Sequence, residues 1–287
     1  MSNYKNLFVV IDPTSESQPA LERAALIARK NKGSITAFSA IYKPVEEMTD
    51  SSSRKTGKKA EMKAWENSVK EMTAPLRASG LRIRNVQYWT QDWYAAVSRG
   101  ALREGADLVI KSTFRHGKLQ RLLHSTSDFV IMRHSPAPVL LVRERKTFNG
   151  EVILAALDLE SSSSGHVSIN NLIMKNARQM ATLTGLPLHV VAAVSSKKAD
   201  LGHLLVGVEM QEGGRDATIA HSFGIDAANL HILRGTAKKV IPELANSLKA
   251  EIAVMGVTTN NGIEGVLIGT TARKVIDTLE CDVLTVH

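Results

Sequence analysis

The chain of 287 residues is long enough for two domains of ordinary size, and its 44% hydrophobic and 22% charged residues are those of a soluble globular protein. No apolar run approaches the roughly 20 residues of a membrane span; Leu7 to Ile11 before Asp12 is too short for a secretory leader, and the single cysteine, Cys281, excludes an internal disulfide framework and fits a reducing cytosol. The net charge of +8 favours anionic partners, yet no aromatic interleaving or base-reading motif points to DNA or RNA.

Residues 5–12 read as a first strand ending on Asp12, followed by a helix capped near Ser17 with Leu21, Ala24, Ala25 and Ala28 on one face. A second strand spans 34–42. The polar, serine-rich stretch 47–59 has no apolar stripe and reads as a loop. A helix over 60–79 carries Met62, Trp65, Val69, Met72 and Leu76 at helical spacing and ends at Gly80. Strand 81–89, a helix capped by Asp92 over 93–104, strand 107–110, helix 118–133 and strand 139–142 complete the first half. The charged segment 143–147 reads as a linker, so the domains are expected at 1–146 and 147–287.

The pattern then restarts. Strand 151–157 ends on Asp158, and a helix over 168–184 points Ile169, Leu172, Ile173, Met180 and Leu183 inward. Strand 188–194, an irregular stretch from 197, a helix to about Phe223, strand 230–233 and a helix 237–248 capped by Thr236 follow. Asp158 stands 146 residues after Asp12, Gly256 145 after Lys111, and Val283 144 after Val139. A near-constant offset at corresponding strand ends means a duplicated unit. Strands alternating with helices mean an open, mostly parallel α/β sheet, with ligands bound beyond the carboxyl ends of its strands.

The second unit closes with the stretch that carries chemistry. Ile252 to Met255 is a buried-strand run, Gly256 stops it, and a polar loop holds Thr258, Thr259, Asn260, Asn261, Gly262 and Gly265. Gly269-Thr270-Thr271 opens a helix with Ala272, Val275, Ile276 and Leu279 on its apolar face, and Asp282 leads into a last strand over 283–286. A strand, a glycine-bearing loop and the free N–H groups of a helix start form an anion site. The bland alternative is that these glycines only turn the chain.

This stretch resembles the nucleotide loop of the universal stress protein family, G-x2-G-x9-G-S/T. Gly256, Gly269 and Thr270 fit it, and Thr259 stands where the second glycine belongs. The resemblance covers nearly the whole chain and is to the tandem type, with two such domains in one polypeptide. It implies two Rossmann-like units of the adenine nucleotide alpha hydrolase type, each with sheet order 3-2-1-4-5. It also implies an intramolecular pseudo-dimer through strands 139–142 and 283–286, with a higher oligomer left open. It assigns nucleotide contacts to Asp158, Ala193, Met255, Gly256, Thr259, Gly269, Thr270 and Thr271, and ATP with magnesium as the ligand.

In the first half Lys111, Phe114 and His124 replace the three glycines and only Ser125 keeps its type, so that half is expected to have lost nucleotide binding. Asp158 has a second reading, the ordering of its own loop, and the serines 161–164 read as a solvated loop. His116, His124 and His134 lack the i, i+4 spacing of a zinc pair; His189 reads as a satisfied core or flank histidine, and the basic group Lys111, Arg115, Lys118 and Arg121 as a solvated face. No hydrolytic constellation appears. The expected function is a cytosolic stress-response binding or signalling module with at most one weak ATP site, in the second half. The alternatives are a non-nucleotide interaction protein, binding a partner or an anionic small molecule such as a lipid intermediate, and a slow ATP hydrolase.

Overall fold

The computed structural model describes residues 4–12, 15–42, 51–113, 121–144, 148–195, 201–257 and 269–287, with the backbone alone at 51–54 and 121–127. The chain divides into two compact units, one of Asn3–Glu144 and one made mainly of Arg145–His287. Among the described residues no helix is long and apolar enough to cross a membrane.

The first unit runs β1 (Asn6–Val10), α1 (Pro19–Asn31), β2 (Ser34–Ile41), α2 (Ser51–Ala78), β3 (Arg82–Trp89), α3 (Trp93–Arg103), β4 (Leu108–Thr113), α4 (Arg121–His134) and β5 (Val139–Arg143). Its strands pair in parallel in the order β3-β2-β1-β4-β5. Every residue of β4 and β5 is buried, as expected of strands covered on both faces. The apolar face of α1, Leu21, Ala24, Ala25 and Ala28, is buried as the spacing requires. Pro19, whose fixed φ suits a first helical turn, opens that helix, and Gln18 rather than Ser17 is its cap residue. Gly100 lets α3 approach the sheet closely: a Cβ there would lie 2.9 Å from Phe8 Cζ and 3.1 Å from Phe38 Cε2.

The second unit repeats this with β6 (Val152–Leu157), α5 (Ser164–Thr184), β7 (Leu188–Val194), α6 (Gly214–Ser222), β8 (Leu230–Arg234), α7 (Ala237–Ser247), β9 (Ala250–Gly256), α8 (Thr270–Thr278) and β10 (Asp282–Val286). Its parallel order β8-β7-β6-β9-β10 is again 3-2-1-4-5. A short 3-10 turn, Gly202–Leu205, lies between β7 and α6.

The elements differ from expectation in a few places. Helix α2 begins at Ser51, not near residue 60. Residues 55–60 are mostly exposed, so that turn has no apolar stripe to betray it. Helix α5 begins at Ser164, four residues early, because Ser163 caps it by accepting the His166 N–H. Leu172 faces outward at 38% exposure, while Met174 and Ala177 are buried. Arg143 belongs to β5 and is buried rather than part of a linker. Thr236 sits at the cap of α7 without a side-chain capping bond.

Candidate functional site

Parallel register decides which residues share the carboxyl rim of the second unit. Ala156 pairs with Met255 across β6 and β9, and Leu157 pairs with Ala192 across β6 and β7. Asp158, Ala193 and Gly256 are each one residue further along, so all three stand at the end of adjacent strands, with Met255 just below. Helix α8 leads straight into β10, parallel to β9, so it runs back along the sheet and starts at this same rim. Gly269 is its cap residue, with Thr270 and Thr271 exposed in the first turn. The first bond of the helix runs from the Arg273 N–H to the Gly269 carbonyl. The N–H groups of Thr270, Thr271 and Ala272 therefore have no partner in the helical ladder, and among the described residues no side chain caps them. Such a helix start suits an anion, and in this respect the residues present fit a phosphate. Thr259, with the rest of 258–268, lies outside the described residues.

Two features of the rim have structural duties as well. A Cβ on Gly256 would meet Ile169 Cγ1 at 2.6 Å, so this glycine allows α5 to lie against the end of β9. The Asp158 side chain, 51% exposed, accepts the Glu160 N–H at 3.2 Å and has Oδ2 3.5 Å from His166 Nε2. His166 Nδ1 is 2.7 Å from Ser163 Oγ. Asp158 thus orders its own loop while still facing solvent.

The means by which Asp158 is placed were not legible in the sequence. Asn170 of α5 grips its peptide group from both sides: Oδ1 accepts the Asp158 N–H at 3.2 Å and Nδ2 donates to the Asp158 carbonyl at 2.7 Å. The first unit does the same with a different residue. Gln18 Oε1 accepts the Asp12 N–H at 3.2 Å and Nε2 donates to the Asp12 carbonyl at 2.8 Å. Both amides are partly or fully buried, as position-fixing groups must be. Glu160 ties the neighbouring strand end into the rim, accepting the Ser195 hydroxyl at 2.7 Å and the Ser195 N–H at 3.0 Å.

The matching rim of the first unit is closed by an ion pair. Lys111, at the position of Gly256, is 9% exposed and its ammonium lies 2.8 Å from Asp128 Oδ1 of α4. Thr113 donates to Asp128 Oδ2 at 2.9 Å, Lys111 Nζ donates to the Ser112 carbonyl at 2.9 Å, and the ammonium sits 5.8 Å from the centre of the Trp93 ring. A long cationic side chain with its own internal carboxylate fills the space that a glycine would leave open. Phe114, Arg115, His116 and Lys118 lie outside the described residues, as do the side chains of Arg121, His124 and Ser125. Among the described residues no group of three or more His, Cys, Asp or Glu is placed to hold a metal. His189 of β7 has a partner: its Nδ1 is 2.9 Å from His231 Nε2 on β8, with the rings 7° from parallel. Burial lowers both pKa values, and His231 adds to the effect on His189.

Two repeated open parallel sheets, each with an aspartate after its first strand and one with a glycine-opened helix on the rim, define a tandem α/β protein built from two units of one fold. The sequence matches the Universal stress protein family over residues 3–143 and again over 151–287, and the chain belongs to that family. It is 29% identical to Universal stress protein E of Photorhabdus laumondii, over all of this chain and 96% of that protein. It is 28% identical to Universal stress protein E of Escherichia coli strain K12, over all of this chain and 95% of that one. A crystal structure of a putative universal stress protein from Pseudomonas aeruginosa UCBPP-PA14 superposes with a TM-score of 0.76 at 28% identity, covering 99% of this chain and 94% of that one. A universal stress protein from Archaeoglobus fulgidus, 18% identical with a TM-score of 0.69 over 98% of this chain and 95% of its own, shares the fold.

Proposed function

We propose that this protein is a cytoplasmic stress-response module that binds an adenine nucleotide weakly at one site, the carboxyl rim of its second unit. The observation that carries this reading is the contrast between the two rims. In the second unit a helix start at Gly269, with no side-chain cap among the described residues, follows a strand ending on Gly256, and Asp158 stands at the end of the adjacent strand β6. In the first, the Lys111–Asp128 pair stands at the corresponding place. The Thr270, Thr271 and Ala272 N–H groups would hold phosphate, with magnesium as its counter-ion, and Gly256 and Thr259 would border it. Asp158, Ala193 and Met255 would face the nucleoside. A reducing cytoplasm agrees with the lone buried thiol of Cys281. With no general base in the described rim, slow ATP hydrolysis remains the lesser reading.

One observation favours a different class of function. Gly256 is fully accounted for by its packing on Ile169, and Asp158 by its own loop. A non-nucleotide interaction protein, taking a partner or an anionic small molecule, would need nothing more of these two residues. Mass spectrometry of small molecules released from the purified, denatured protein separates the readings. An adenine nucleotide in the released fraction supports the first; its absence beside a different anionic molecule supports the second.

A further inference from the structure

At the opposite end of the first unit, the amino ends of β1, β2 and β3 border a cavity of about 550 Å³. That is within the size range of small-molecule sites. Its polar lining includes Ser34, Thr36, Arg77, Arg82, Arg84 and Glu104. Register explains the clustering. Ser34 pairs with Arg82 and Thr36 with Arg84, so these four side chains leave the sheet on the same face. Arg84 is ion-paired with Glu104, at the end of α3. Among the described residues the other two guanidiniums bond neutral groups. Arg82 Nη2 donates to the Lys32 carbonyl at 2.9 Å, and Arg77 donates to Asn85 Oδ1 at 2.8 Å and to Thr73 Oγ1 at 3.3 Å. Neither has a carboxylate partner among the described residues. Each keeps several of its five N–H donors.

Basic residues in the last turns of helices complement the helix dipole, and that accounts for Arg77. It does not account for Arg82 and Arg84, which are on a strand. Charge on an edge strand discourages aggregation, but that duty does not require two arginines on the face that lines a cavity beside two hydroxyls. Planar guanidiniums grouped around hydroxyl donors are the chemistry of oxyanion recognition.

We propose that this cleft binds a small oxyanion carrying two or more negative charges, with Arg77 and Arg82 as its principal contacts. Glu104 competes with the ligand for Arg84, so an entering anion takes over that guanidinium. The cleft lies at the amino ends of the first unit's strands, and it does not depend on the nucleotide reading, which concerns the second unit.

Calorimetric titration of the full chain at low ionic strength, with pyrophosphate and separately with citrate, tests this. Low salt matters because exposed charge pairs are screened. Arg82→Gln and Arg77→Gln should each weaken binding about tenfold, equivalent to about 1.4 kcal/mol. Glu104→Gln should tighten it a few-fold by removing the competing carboxylate. A stronger response to pyrophosphate marks a phosphate ligand, and a stronger response to citrate a polycarboxylate. Unfolding followed by tryptophan fluorescence shows that each variant is folded. The proposal fails if neither anion binds the wild-type chain. It fails equally if an Arg77→Gln/Arg82→Gln variant with wild-type unfolding binds as well as wild type.

Discussion

Removing the carboxylate from the closed rim of the first unit should be expensive in stability. Asp128→Ala leaves the Lys111 ammonium without its charge partner in a site where the two side chains are 11% and 8% exposed. Breaking a buried pair from one side costs about 3–5 kcal/mol, because the remaining charge cannot be solvated. Thr113 loses its acceptor in the same change. For a unit of this size about 4 kcal/mol corresponds to a fall in Tm of roughly 12 °C. Replacing both partners, Lys111→Met with Asp128→Leu, should recover most of the loss, since a neutral, packed pair has no desolvation penalty. With Lys111→Met alone and Asp128→Leu alone, the set closes a double-mutant cycle whose coupling energy isolates the pair. All three tryptophans, Trp65, Trp89 and Trp93, lie in the first unit, so urea unfolding followed by tryptophan fluorescence reports that unit without contribution from the second. A cost below about 1 kcal/mol for Asp128→Ala is what an exposed pair gives. That result, or a double variant no more stable than the single one, would refute the view that this pair closes the rim.

Gly100→Val should destabilise the first unit by about 1–3 kcal/mol through overpacking against Phe8 and Phe38, read in the same fluorescence assay. Asn170→Ala should release the peptide of Asp158, lower stability by roughly 1–2 kcal/mol and weaken any ATP binding, while Asn170→Gln should fail to restore the grip because its reach differs. Burial lowers the pKa of His189 and His231 from 6.5, so the unfolded chain binds more protons in mildly acid solution. The stability this gives is present above pH 6.5 and is lost as pH falls through the lowered values; His231→Phe should flatten that loss, as circular dichroism melts between neutral and mildly acid pH would record. Thr259→Gly should tighten ATP binding about tenfold, since a charge-assisted phosphate contact worth about 1.5–3 kcal/mol outweighs the roughly 0.5–1 kcal/mol of added loop entropy. Equal affinities, measured at one magnesium concentration, would show that the threonine is silent.

The sheets were readable because their strands are short apolar runs bounded by polar loops, and because the repeat offset held at three separate strand ends. Strand order within each unit came from family resemblance, since pairing in a parallel sheet leaves no local trace in the sequence. Helix α2 reads short from sequence because periodicity detects burial, and its residues 55–60 are mostly exposed. The start of α5 reads four residues late from sequence because the serines 161–164 read as a solvated loop, whereas Ser163 is the cap residue of the helix. At the rims, the loss of glycine at Lys111 was visible, but its partner Asp128 was not. That contact joins residues seventeen apart through the curvature of a helix over a strand end. The amide grips of Gln18 and Asn170 were invisible for a related reason. One precedes its helix and the other is inside it, so no shared motif marks them.

The central claim is that nucleotide binding is confined to the second unit and rests on the helix start at Gly269. Calorimetric titration with ATP and magnesium, run side by side on wild type, Gly269→Val and His124→Gly, tests it most directly. One weak site in the wild-type chain, lost in Gly269→Val because a branched side chain enters the phosphate space and kept in His124→Gly, is the result predicted. Two sites per chain, or undiminished binding in Gly269→Val, would contradict it.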